Sequence, residues 1–200
     1  MGSRLAATRA IYRRWLRLYV PAAALVLGVS TIAGFLLGSA VPLESLPAAA
    51  GGGSGPFPPL TTVDLAVNNL VAMLALLLGA VSLGLVTLFG LVLNGLVIGV
   101  VIGIAVQQVD PLVVAMLLVP HGVLEIPALL VASAVGLRFA RLTVRYIRGL
   151  EATLLTRRDL REAGWLVAMS ALFIVVGAYI EANLTLELAE RVAGDGVIAG

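Results

Sequence analysis

Pro120-His121-Gly122-Val123-Leu124-Glu125-Ile126-Pro127 places an imidazole and a carboxylate four residues apart inside an otherwise apolar run. Four residues is close to one helical turn, so the two side chains share a helix face. The next charged residue along the chain is Arg138, which a rise of ~1.5 Å per residue puts roughly 20 Å away. If Arg138 marks one edge of a hydrocarbon core ~30 Å thick, Glu125 lies inside it. An ionisable group at that depth is costly and is retained where it faces protein or a wet cavity. The stretch therefore predicts a helical membrane bundle and marks the polar site within it.

The composition agrees. The 200 residues are 60% hydrophobic and 12% charged, whereas soluble domains carry ~25% charge. With no cysteine, disulfides and thiolate metal sites are excluded. All 13 basic residues are arginine. The N-terminus is basic and then apolar, as in a signal peptide, but its apolar run is too long and no small-residue cleavage pattern fits. It reads as a first transmembrane helix.

Upstream of the central stretch, residues 1–18 form an amphipathic N-terminal segment, with Arg9, Arg13, Arg14 and Arg17 on one arc and Ile11, Trp15 and Leu18 opposite. A transmembrane bundle is expected over 19–183. Its first span, from about Tyr19 to Ser39, carries Gly34-x-x-x-Gly38, a spacing that suggests close helix contact. Residues 40–63 are rich in Pro, Gly, Ala and Ser and contain no basic residue, as expected of a flexible outer loop. Residues 65–106 carry no charge and are long enough for two spans, with a turn expected near Gly84 to Gly90. Asn68 and Asn69 lie at the outer end of this tract and Asn94 well inside it; amides in lipid need partners on other helices. Gly95, Gly99 and Gly103 form a glycine ridge for helix packing within the bundle or a dimer.

The run from 111 to 137 is longer than one straight span requires. Pro120, Gly122 and Pro127 are expected to break it into an outer half-helix, short enough to be re-entrant, and a main helix. Arg138, Arg141, Arg145 and Arg148 then fall on a narrow arc, giving an Arg-rich amphipathic segment over 138–163 that suits a membrane surface or a partner. Trp165 to about Tyr179 form the last span, followed by an acidic tail, 184–200. Five arginines precede the first span, seven lie between Arg138 and Arg161, and Arg191 alone follows the last span. That asymmetry predicts a multi-pass cell-membrane protein with a cytoplasmic N-terminus and an outer C-terminus. The fold class is all-α, a polytopic bundle of about five transmembrane helices.

Asn68-Asn69, Asn94-Gly95 with its ridge, and Pro120-His121-Gly122-x-x-Glu125-Ile126-Pro127-Ala128 together resemble the stage II sporulation protein M family, over most of residues 60–183. The resemblance implies a membrane protein that acts with partner proteins in engulfment, alongside cell-wall degradation, in endospore formers. Similar proteins occur in organisms that do not sporulate. The long Pro/Gly loop departs from a minimal version of the family.

Four chemistries compete for Asn68, Asn69, Asn94, His121 and Glu125. They can form a satisfied polar core, which suits a membrane scaffold or morphogenesis component. Glu125 and His121 can bind protons or a solute, as in a transporter or permease-like subunit. They can ligate a metal, although no further ligand is evident nearby. Catalysis is the least supported, because the spacing is not His-Glu-x-x-His and no persuasive nucleophile accompanies it. No catalytic residue, metal or cofactor is assigned. The expected partners are the lipid bilayer and either a second copy, as a dimer, or other membrane proteins. Nucleic acid is excluded, because the arginines lie where topology alone places them.

Overall fold

The structure, a computed structural model, describes residues 2–45, 62–181 and 183. Most of the Pro/Gly-rich loop and the acidic tail thus lie outside the described residues. Six α-helices follow in order: α1 Gly2–Ile11, α2 Tyr19–Ser39, α3 Thr62–Leu77, α4 Leu85–Ala105, α5 Pro111–Ile147 and α6 Arg157–Ile180. A π turn, Tyr12–Leu16, links α1 to α2. No strand occurs among the described residues. Among the described residues, five helices are long and apolar enough to cross a membrane: α2, α3 with its following 3-10 turn, α4, α5 from Gly122, and α6.

Helix α5 is the post around which the others stand, touching α2, α3, α4 and α6. Its inward face is built of small residues, with Ala128, Ala132, Ser133 and Ala134 all buried. Short side chains let neighbouring backbones approach closely, which drives helix association in lipid, where no hydrophobic effect operates between spans. Leu27 of α2, Met73 and Leu76 of α3, Leu91 of α4 and Ile174 of α6 close over that face.

The tightest seam joins α2 and α4, which run parallel. Gly34 faces Leu96 and Gly38 faces Val100, while Gly95, Gly99 and Gly103 face in turn Leu27, Thr31 and Phe35 of α2. A Cβ on Gly95 would stand 2.6 Å from the Leu27 carbonyl oxygen, closer than a real side chain tolerates. The predicted ridge is therefore a packing surface inside one chain. A homodimer would have to use another face.

Two expectations need correction. The turn between the second and third spans falls earlier than Gly84 to Gly90: α3 gives way to a 3-10 turn at Leu78–Ala80, and Gly84 directly precedes α4. Leu83 and Gly84 take φ of +53° and +90°, a left-handed turn that suits Gly84 and is strained at Leu83. Gly90 lies within α4, against Leu76. The second correction concerns Pro120-His121-Gly122, where no break occurs. Helix α5 runs unbroken for 37 residues, about 55 Å at the usual helical rise. A proline deletes one backbone donor and crowds the carbonyl four residues back, and in a bundle this is absorbed without ending the helix.

The N-terminal segment is tied into the bundle rather than lying apart on the surface. Trp15 is fully buried; its Nε1 donates to Glu162 Oε2 at 2.8 Å. Its ring meets Phe139 edge-on at 5.4 Å and lies under the Arg138 guanidinium at 4.5 Å. Arg14 pairs with Glu162 at 3.4 Å, and Arg138 donates to the Arg14 carbonyl and to Asp159. Asp159 also closes a capping box with Thr156, which starts α6. Leu18, expected on the apolar arc with Trp15, is instead exposed.

Candidate functional site

The polar residues of three spans meet at one depth. Thr87 Oγ1 of α4 donates to the Leu76 carbonyl of α3 at 2.6 Å, which fixes the register of the two antiparallel helices. Counting away from that bond brings Asn94 level with Asn69. Asn69 also interacts with the Glu125 carboxylate of α5. By the helical rise this layer lies about 10 Å from the Thr62 end of α3 and about 16 Å from the Ala105 end of α4, deep enough to fall inside a ~30 Å core.

A cavity of about 680 Å³ opens on this layer. Asn68, Asn69, Asn94 and Glu125 supply its polar groups, and Val97, Ile98, Ile102, Leu118, Val123 and Leu129 are among its apolar walls. Gly122 and Pro127 also border it, so two of the residues read as structural breaks line the site. Asn94 is partly committed, because its Nδ2 donates to the Gly90 carbonyl at 2.8 Å. Asn68 is exposed and Asn69 half-buried. The side chains of Pro120 and His121 lie outside the described residues, and the backbone places both positions within α5.

Glu125 is half-buried. Its Oε1 is fully buried with no hydrogen-bond partner, an expensive state for a carboxylate oxygen. The side chain lies against Gly177 of α6, where a Cβ would stand 2.7 Å from Glu125 Cγ and 3.2 Å from Oε1. Gly177 is thus the notch that admits the carboxylate, and sequence reasoning missed it because its role depends on a residue of another helix, Glu125 of α5. Gly177→Ala is expected to lower stability by about 1 to 2 kcal/mol, because the flexible glutamate can retreat toward the cavity. Thermal unfolding of the purified protein in detergent checks this; no loss would mean that Glu125 does not occupy the notch.

The arginines assigned to a surface or partner divide into two groups. Arg138 belongs to the buried clamp around Trp15, while Arg141 reaches the Tyr19 hydroxyl at 3.3 Å and Arg145 pairs with Glu151 at 2.9 Å. Arg148 is exposed at the end of α5. Among the described residues, no three His, Cys, Asp or Glu side chains converge in a group that could hold a metal ion.

The fold and site define a class: a multi-pass helical membrane protein with an amide-carboxylate cavity between its spans. The chain belongs to the stage II sporulation protein M family, whose model matches residues 23–186. It is also 31% identical over 127 residues to an uncharacterized protein of Methanocaldococcus jannaschii, covering 63% of this chain and 71% of that one. No solved structure matches.

Proposed function

We propose that this protein is a permease-like membrane subunit in which Glu125 is the functional acid of an intramembrane binding site. One observation carries the reading: the half-buried Glu125 carboxylate and the asparagines beside it border a cavity of about 680 Å³ instead of closing on one another. Polar groups converging on a cavity near the bilayer midplane are where transporters hold substrate or coupling ions. The arginine-rich end, where α5 and α6 meet α1, faces the cytoplasm, and the loop between α2 and α3 faces outward.

The test is proton flux into proteoliposomes, read with an entrapped pH-sensitive dye. Glu125→Gln keeps the side chain's size and much of its hydrogen bonding, so the variant is expected to fold and insert normally while pH-dependent flux falls to the protein-free baseline. Flux that persists in Glu125→Gln removes Glu125 from the role.

The scaffold or morphogenesis reading has one observation in its favour. The clamp of Trp15, Arg14, Arg138, Asp159 and Glu162 locks the N-terminal segment onto α5 and α6, presenting a rigid arginine-rich surface. On that reading Glu125→Gln leaves both folding and partner binding unchanged.

A further inference from the structure

The site's own chemistry restricts what it can bind. Among the described residues its polar lining is three amides and one carboxylate, with no arginine. Glu181, at the end of α6, acts on Glu125 as a second negative charge. An anionic group brought here would meet repulsion in a low-dielectric setting, where like charges cost most. A cationic donor would satisfy both the carboxylate and the amide oxygens.

The apolar surroundings add a second restriction. A cavity of about 680 Å³ far exceeds what a water or a bare cation fills, a water occupying ~30 Å³ in the liquid. The remaining volume is bordered by aliphatic side chains. Val97, Val119 and Val123 on its rim are each more than half exposed, and Val97 lies about 12 Å inside the end of α4 by the helical rise. Exposure at that depth is exposure to lipid. Helices α4 and α5 meet only sparingly, so the mouth lies in the side of the bundle. From Leu118 to Leu129, α5 lines the cavity over roughly 16 Å.

We infer that the site takes a lipid-soluble cation, an alkylammonium-type group on an apolar body, which enters sideways from the bilayer and sets its charge on Glu125. This rests on the reading of the cavity as a ligand site and supplies its substrate class. Proton and ammonium bind the same carboxylate in turn, so loading one releases the other. The amides orient the N–H donors, and the aliphatic walls hold the chain.

The test uses the full-length protein in nanodiscs of zwitterionic lipid. Dodecylamine and dodecanoic acid are added at equal mole fraction, and bound adducts are counted by native mass spectrometry. The amine is expected to bind at least about tenfold more tightly than the acid, and Glu125→Gln to remove about tenfold of that affinity. Ile98→Trp, which adds bulk to the α4 wall of the cavity, is expected to block both ligands. Equal binding of acid and amine, amine binding unchanged by Glu125→Gln, or no binding of the amine overturns the inference. Those outcomes bear on the ligand class alone; the flux assay on Glu125→Gln judges the permease reading separately.

Discussion

Gly99→Leu is expected to prevent stable assembly of the bundle, whereas Gly28→Ala, on the helix that Gly99 packs against, is expected to leave stability unchanged or slightly raised. A Cβ at Gly99 would overlap the Thr31 carbonyl oxygen and stand 2.5 Å from the Phe35 amide nitrogen. Both are backbone atoms, which cannot rotate away as a side chain does. Helices α2 and α4 would have to separate, and Gly34, Gly38, Gly95 and Gly103 would lose their contacts together. The cost should reach about 3 kcal/mol or more, with even Gly99→Ala clearly destabilising. At Gly28 no atom lies within 4 Å of an added Cβ, so alanine brings only its better helix propensity, worth ~0.5 to 1 kcal/mol. Thermal unfolding in detergent separates the two. Equal midpoints would show that the α2–α4 seam is not formed as described.

Trp15→Ala carries the second large effect. The side chain is fully buried and bonds Glu162, with Arg138 and Phe139 against its ring. Its removal opens a cavity and takes a donor from a buried carboxylate, for an expected loss of about 3 to 5 kcal/mol. The damage is local to the arginine-rich end. Protease cleavage near the N-terminus should therefore rise sharply while the α2–α4 seam stays protected. Trp15→Phe keeps most of the volume but not the donor, and should fall between the two. A Trp15→Ala protein as protease-resistant as the parent would mean that the N-terminal segment is not clamped to α5 and α6.

The spans were legible because apolar runs of ~20 residues have few alternatives in a chain with so little charge. Glu125 stood out for the same reason, as a lone carboxylate between Asp110 and Arg138. The glycine ridge was also visible, and so was Gly34-x-x-x-Gly38, but spacing shows only that a helix has a smooth face, not which helix covers it. The pairing of α2 with α4 is a fact of tertiary packing. The Trp15 clamp was hidden more deeply, because its partner Glu162 lies at the other end of the chain and the arginines around it read as ordinary positive-inside residues. Pro120 misled in the opposite direction. Local propensity argues for a break, and the low-dielectric surroundings that penalise unpaired backbone groups favour keeping the helix.

The cavity itself could not have been read from sequence. Asn69, Asn94 and Glu125 were expected in one cluster, but whether such a cluster is filled or open depends on how far α4 stands from α5. That spacing decides between a polar core that holds helices together and a site that binds something.

A cryo-EM structure of the protein in nanodiscs formed from its own membrane lipids, at a resolution that places side chains, tests this most directly. The permease reading predicts non-protein density in the cavity between α4 and α5, with its polar end within hydrogen-bonding distance of Glu125 and Asn94. A cavity closed by its own walls, with the Glu125 carboxylate sealed among Asn68, Asn69, Asn94 and His121, would contradict that reading and leave the cluster a structural core.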